Sequence, residues 1–168
     1  MKSFVCPTCG DTHEGLPIDH GWKLPDVVWA IPANERSHQA KFNSDLCQLG
    51  GRFFIRCLLK LSFNEQSDYY GWGVWVEIHE HDFNRYFELY DKDGSHERPI
   101  PGTMANAIPG YPSTLGLAVM VQFQNSTSRP AVLIPATSSH PLAAEQATGI
   151  DNQRYHEILV ATGSLGRP

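Results

Sequence analysis

Apolar and polar residues alternate most regularly between residues 42 and 79. FNSDLCQL and RFFIRCLLKLSF flank Gly50-Gly51, the pattern of two strands joined by a two-residue turn. YYGWGVWVEIH (69–79) predicts a third strand, with Trp72, Val74, Val76 and Ile78 on one face and Trp75 and Glu77 on the other. LGLAVMVQFQ (115–124) and PAVLIPA (130–136) form a further strand pair across the polar turn NSTSR.

The period changes to helical in HDFNRYFELYD (81–91), where Phe83, Tyr86, Phe87 and Tyr90 predict an amphipathic helix laid on the sheet. HPLAAEQATG predicts a short helix with Pro141 in its first turn and Gly149 past its end. Asp151 is placed to cap a last helix with Tyr155, Ile158 and Leu159 facing inward. Pro25 and Pro32 allow only short structure in residues 21–40, residues 92–114 read as loop, and the tail GSLGRP is expected to fray.

These elements argue for an α+β fold in one domain over residues 1–168: an antiparallel sheet with two or three short helices packed on it. Within it, residues 1–20 form a cysteine-bearing, zinc-knuckle-like turn and residues 42–136 the sheet core with helix 81–91 inserted. Residues 140–162 supply the C-terminal helices.

Composition narrows the function classes. The 168 residues are 41% hydrophobic and 18% charged, as in a globular domain, and the net charge is -5. No Lys/Arg run offers a track for a phosphate backbone, so nucleic-acid binding is not expected, and the acidic balance opposes an anionic membrane. The first residues hold no apolar signal region, and the longest apolar stretch, LGLAVMV, is too short to cross a bilayer. A cytoplasmic protein is expected, in which four cysteines serve as metal ligands or buried thiols rather than disulfides.

Candidate chemistry centres on CPTCGDTH (6–13). Two thiolates two residues apart reach one zinc ion from a tight knuckle, and Gly10 lets the backbone turn so that amides approach the sulfurs. Buried thiols or a redox pair are the other readings. A redox pair wants a helix N-terminus to lower the thiol pKa, and Pro7, Gly10 and Pro17 oppose a helix there. A closed zinc site needs two more ligands, from His13, Cys47, Cys57 or the later histidines. If Gly50-Gly51 is the turn, Cys47 faces Phe54 and Cys57 points to the opposite face, so the two do not share an ion.

His79 and His81 share one face of a strand end, a weak metal signal against a helix cap. His140 and Glu145 are candidates for acid–base catalysis, but five residues apart they do not share a helix face, and His140 also suits a capping role. No G-x-S-x-G elbow or glycine-rich phosphate loop is present. DKDGSHE reads as a turn rather than a calcium loop. For a partner, Tyr69 and Trp75 are candidate anchors, and so are Pro109 and Tyr111 in the proline-braced loop ERPIPGTMANAIPGYPSTLG. That loop could equally cover a sheet edge.

CPTCGDTHEGLP, SDLC with FFIRC, GWGVWV, IPGYPSTLGL and HPLAAEQATGI together resemble the bacterial family named domain of unknown function 2199 over about residues 4–160. The resemblance implies a single-domain bacterial protein and no activity. SDLC belongs to that family's pattern and Cys57 departs from it, as do His79 and His81, so the resemblance favours Cys47. The expected ligand set is then Cys6, Cys9, His13 and Cys47, holding a structural Zn2+. The leading expectation is a zinc-stabilised protein that binds a protein partner, with an immunity or inhibitor protein as one concrete form. A zinc-dependent or His140-based hydrolase and a purely structural or regulatory module are the alternatives.

Overall fold

The computed structural model describes residues 3–165; Met1, Lys2 and residues 166–168, the end of the tail expected to fray, lie outside. Two long strands organise it. β6 (Arg52–Ser62) and β7 (Tyr69–Ile78) pair antiparallel along their whole length, from Phe53 opposite Ile78 to Ser62 opposite Tyr69. Before them come β1 (Phe4–Val5), β2 (Thr12–His13), β3 (Asp19–Gly21), α1 (Asp26–Trp29), α2 (Ala33–Gln39), β4 (Ala40–Phe42) and β5 (Leu46–Leu49). After them come α3 (Glu80–Glu88), β8 (Ile100–Met104), β9 (Ala118–Gln122), β10 (Ala131–Leu133), α4 (Pro141–Thr148) and α5 (Asn152–Ala161).

The free edge of each long strand is divided between two partners. β6 takes β5 antiparallel at Arg52–Ile55, then β10 in parallel at Leu58. β7 takes β8 antiparallel at Val76 and Glu77, and β3 in parallel at Gly71–Gly73. Because β8, β9 and β10 follow one another antiparallel, β6-β7-β8-β9-β10 closes into a small five-stranded barrel. β3 and the β4–β5 hairpin branch off its rim.

The fold is therefore α+β as expected, with two corrections. Among the described residues it has five helices, and two of its strand pairings are parallel; one of these, β10 with β6, turns an antiparallel array into a closed barrel. β8 arises within residues expected to be loop. Pro101 and Gly102 made that segment read as irregular, yet a Cβ on Gly102 would lie 2.5 Å from Val76 Cγ1 and 2.9 Å from the Glu77 carbonyl oxygen. Only a strand without a side chain there can lie so close to β7.

The barrel interior follows the two-residue period. Ile55, Cys57, Leu59 and Leu61 of β6 meet Tyr70, Trp72, Val74, Val76 and Ile78 of β7, all buried. Burying a large apolar side chain is worth about 1.5–3 kcal/mol, and a one-residue slip of β6 would put Arg56 and Lys60 inside instead, so the register is strongly specified. The Gly50-Gly51 turn aligns Leu49 with Arg52 and Cys47 with Phe54, as the parity of the sequence requires. On the outer face, Phe54 and Trp75 are covered by Leu24, Val28, Ala40, Cys47 and Ala105, a second core built from the proline-broken segment.

The helices cap as their sequences indicate. Pro141 opens α4, whose cap Gly149 has φ 82°, and the Asp151 side chain accepts a hydrogen bond from the Arg154 amide at the start of α5. α3 lays Phe83 and Tyr86 on the core together with Leu89, but Phe87 is 65% exposed and Tyr90 also faces solvent. The half-buried stripe runs 83, 86, 89 rather than through Phe87. α5 ends in a Schellman turn: Gly163, at φ 73°, donates to the Val160 carbonyl and Ser164 to the Leu159 carbonyl. The first part of the expected frayed tail is thus hydrogen-bonded.

Candidate metal centre

β1 and β2 form a separate two-stranded ribbon, Phe4 opposite His13 and Val5 opposite Thr12, with CPTCGD as its connection. Its geometry is that of a knuckle. The Cys6 amide donates to the Asp11 carbonyl at 2.8 Å, the Gly10 amide donates to the Cys6 carbonyl at 2.9 Å, and Gly10 sits at φ 79°. That positive φ folds the chain so that Cys9 swings back toward Cys6.

The ribbon rests on α5. Phe4 packs on Tyr155, whose ring also meets Phe63 and Tyr70 and whose hydroxyl donates to the Pro17 carbonyl. With Tyr155 anchored, the next residue, His156, faces the knuckle. Its Nδ1 lies 3.1 Å from Cys6 Sγ, while His13 Nε2 lies 3.2 Å from Cys9 Sγ. One donor atom from each of Cys6, Cys9, His13 and His156 falls within 4.8 Å of all the others. Tetrahedral zinc bonds of 2.0–2.3 Å imply donor separations of roughly 3.3–3.8 Å, so the cluster needs only a small contraction to hold one ion.

Burial divides the four. Cys6 is 1% exposed and His156 7% exposed, whereas Cys9 and His13 lie toward solvent. Burial opposes ionisation of the Cys6 thiol, but the backbone amides of Cys9 and Thr8 and the Cys9 thiol outweigh it and lower its pKa. At Cys9 the Asp11 amide favours the thiolate, yet desolvation, followed by the hydrogen bond and charge of the adjoining Cys6, prevails and raises the pKa. Two thiols of which one ionises at the expense of the other are what a divalent cation would relieve.

Cys47 is placed elsewhere, which corrects the expected ligand set. It lies on the outer face among Leu24, Val28, Phe54 and Trp75, and burial alone pushes its thiol up to about 11. Parity correctly separated Cys47 from Cys57, which points into the barrel, but parity does not say what covers a face. The knuckle covers neither cysteine. His156 went unseen as a fourth donor although the sequence held a sign of it: it is the one polar residue among Tyr155, Ile158 and Leu159 on the buried side of α5.

The other candidate residues fall into structural roles. His79 stands at the N-cap position of α3 without a side-chain cap bond, and His81 is exposed beside Asp82. His140 uses both ring nitrogens: Nδ1 accepts from the Leu142 amide and Nε2 lies 2.7 Å from the Pro112 carbonyl, which assigns the proton to Nε2. Glu145 accepts from the Tyr111 hydroxyl and from Arg154 Nε at 2.7 Å, and the Arg154 guanidinium lies over the Tyr111 ring. This clip joins the proline-braced loop to α4 and α5.

Tyr111 is therefore an internal strut rather than a free partner anchor; burial, then its bond to Glu145, raises its pKa. Pro109 adjoins it, half-buried. Trp75 is fully buried, and its Nε1 donates to the Trp22 carbonyl at 3.1 Å. Tyr69 remains exposed, with Lys60 Nζ 4.6 Å from its ring centre. The loop itself is knitted down through Asn106, fully buried, which accepts from the Trp75 amide and donates to the Leu24 carbonyl and to Asp26.

Among the described residues no helix is long and apolar enough to cross a membrane. No curated protein and no solved structure matches the chain. One family of bacterial proteins does, over residues 5–150 of the 168; the matched stretch holds Cys6, Cys9 and His13 and stops short of His156. The chain belongs to that family, the uncharacterised proteins conserved in bacteria called domain of unknown function 2199.

Proposed function

We propose that this protein is a zinc-stapled, cytoplasmic binding protein, in which Cys6, Cys9, His13 and His156 hold one structural Zn2+ and the barrel presents its surface to a protein partner. The observation that carries the zinc reading is the convergence of two thiols and two imidazoles within 4.8 Å. Cys2His2 is a donor set typical of closed structural zinc sites, and one knuckle supplying two thiolates is the usual way to build half of one. A reducing compartment, which keeps the four cysteines as free thiols, suits this chemistry.

A binding role is supported by what His140 and Glu145 do: their polar atoms are engaged in holding α4, α5 and the proline-braced loop together. The exposed Trp29, with Arg36 stacked 4.4 Å from its ring centre, offers an anchor of the residue types that dominate interfaces. An immunity or inhibitor protein acting on one partner is a concrete form of this role.

The test is metal content per chain, on protein purified without added zinc or a histidine tag. Near one zinc per chain is expected, retained in Cys47→Ser and lost in Cys6→Ser and His156→Ala. Absence of zinc from the wild type, or zinc that survives His156→Ala but not Cys47→Ser, would overturn the assignment. A partner co-purified from the native bacterium should be lost in Trp29→Ala with the fold intact; retention would dismiss Trp29 as the anchor.

A further inference from the structure

A groove of about 580 Å³ lies on the outer face of the barrel and shares no residue with the zinc cluster. Its floor is Leu58 and its cross-strand partner Gly73. Tyr69 and Lys60 stand at one end and Arg129 at the other, with the hydroxyl-bearing turn 125–128 along the rim. The two strand glycines keep this floor bare: a Cβ on Gly71 would meet Leu58 Cδ1 at 3.1 Å, and one on Gly73 would meet Gly21 Cα at 3.4 Å.

The charges around the groove are unbalanced. The Arg56 guanidinium reaches across β7 toward the groove floor, its Nη2 3.6 Å from where a Gly73 Cβ would be. Its Nε is shut from solvent without a hydrogen-bond partner, and no protein acceptor engages its other nitrogens among the described residues. Neither Arg56 nor Lys60 enters an ion pair within 4 Å among the described residues; Arg129 gives its Nε to Asp45. Asp45 is already committed, accepting also from Ser44 and Tyr90. Asp19, beside Gly71 on β3, is the other carboxylate near the floor. Two lining cations, Lys60 and Arg129, and Arg56 beside the Gly73 floor thus meet one satisfied carboxylate and one flanking carboxylate, in a chain whose net charge is -5. A half-buried guanidinium without an acceptor is costly unless an anion meets it.

We infer that this groove binds a small oxyanion-bearing ligand, its phosphate or carboxylate held by Arg56, Lys60 and Arg129 and its body lying on the bare floor against Tyr69. This goes beyond the zinc-stapled reading, and its test stands whether or not zinc is found. Groove volume falls in the range of small-molecule sites rather than macromolecular surfaces.

Titration calorimetry on the full chain at low salt, with pyrophosphate and separately with succinate, distinguishes the two oxyanion classes. Saturable binding of either is expected, weakening as NaCl is raised. Arg56→Met should lower the affinity about tenfold or more, as loss of a charge-assisted hydrogen bond implies, while Arg98→Met, an equal charge change at an exposed site outside the groove, leaves it unchanged. Lys60→Met, at an exposed strand position, gives the same readout should Arg56→Met lose its fold. Pyrophosphate binding alone assigns a phosphate ligand and succinate binding alone a carboxylate. No binding of either, or equal losses in Arg98→Met and in the groove variants, overturns the site.

Discussion

If the Cys6, Cys9, His13 and His156 cluster holds the proposed zinc, its loss should loosen the N-terminal ribbon without melting the barrel. His156→Ala removes the one donor that comes from outside the knuckle, and Cys6 and His156 are 150 residues apart in sequence. Closing a loop of that length by a cross-link is worth at most about 5 kcal/mol of chain entropy. Part of that closure persists without the ion, because Phe4 still packs on Tyr155 and the Tyr155 hydroxyl still holds the Pro17 carbonyl. The free energy that holds the ribbon closed on α5 should then fall by about 2–4 kcal/mol, with the stability of the barrel itself little changed. The loss is local in origin, since β1 and β2 pair only with each other.

Native-state hydrogen exchange resolves this. In His156→Ala, or in wild type treated with a chelator, the Cys6 and Gly10 amides should exchange orders of magnitude faster, while amides of the β6–β7 ladder keep their protection. Acid should act as the chelator does, because zinc needs thiolates and neutral imidazoles and is released as pH falls through their range. The reasoning is refuted if chelation leaves the Cys6 and Gly10 amides unchanged, or if the β6–β7 amides lose protection in step with them.

Three further outcomes are expected. In chelated protein at pH 8, iodoacetamide should modify Cys9 and Cys6 and spare Cys47 and Cys57, whose thiols burial pushes up and shields; mass spectrometry of the digested protein reads the order, and early labelling of Cys47 would contradict its placement. Gly102→Ala forces a methyl against Val76 and the Glu77 carbonyl and should cost about 1–3 kcal/mol in urea unfolding; an unchanged midpoint would mean that β8 does not lie so close. Asn106→Leu strands the Trp75 amide and should cost about 1–3 kcal/mol or more, seen as a lower Tm with a near-ultraviolet change at the buried Trp75.

Local periodicity carried far in this chain because the two long strands obey it strictly. The β6–β7 hairpin, its register, the two-faced split of Trp72 and Trp75, and the caps at Pro141, Gly149 and Asp151 are all decided by residues close in sequence. What escaped was decided at long range. Closure of the barrel depends on one parallel pairing of Ala131 with Leu58, which no local signal announces. Trp75 reads as a candidate anchor because its face carries Glu77, Gly73 and Tyr69; its cover comes from Leu24 and Val28 in the proline-broken segment together with the distant Ala40, Cys47 and Ala105. The fourth donor escaped for the same reason. Cys47 follows a strong local pattern, while His156 is brought to the knuckle only by the docking of α5 through Tyr155.

The meeting of the Cys6 knuckle with α5 also sets an order of events in time. Synthesis at about 5–20 residues per second separates Cys6 from His156 by roughly 8–30 s, on top of the delay before α5 clears the ribosome. Throughout that interval the two cysteines are exposed to oxidants and competing metals with only His13 to help hold an ion. A chain cut short anywhere before α5 would keep the barrel strands but never complete the donor set. Under the proposed zinc reading, affinity for the metal would rise only when the last helix arrives.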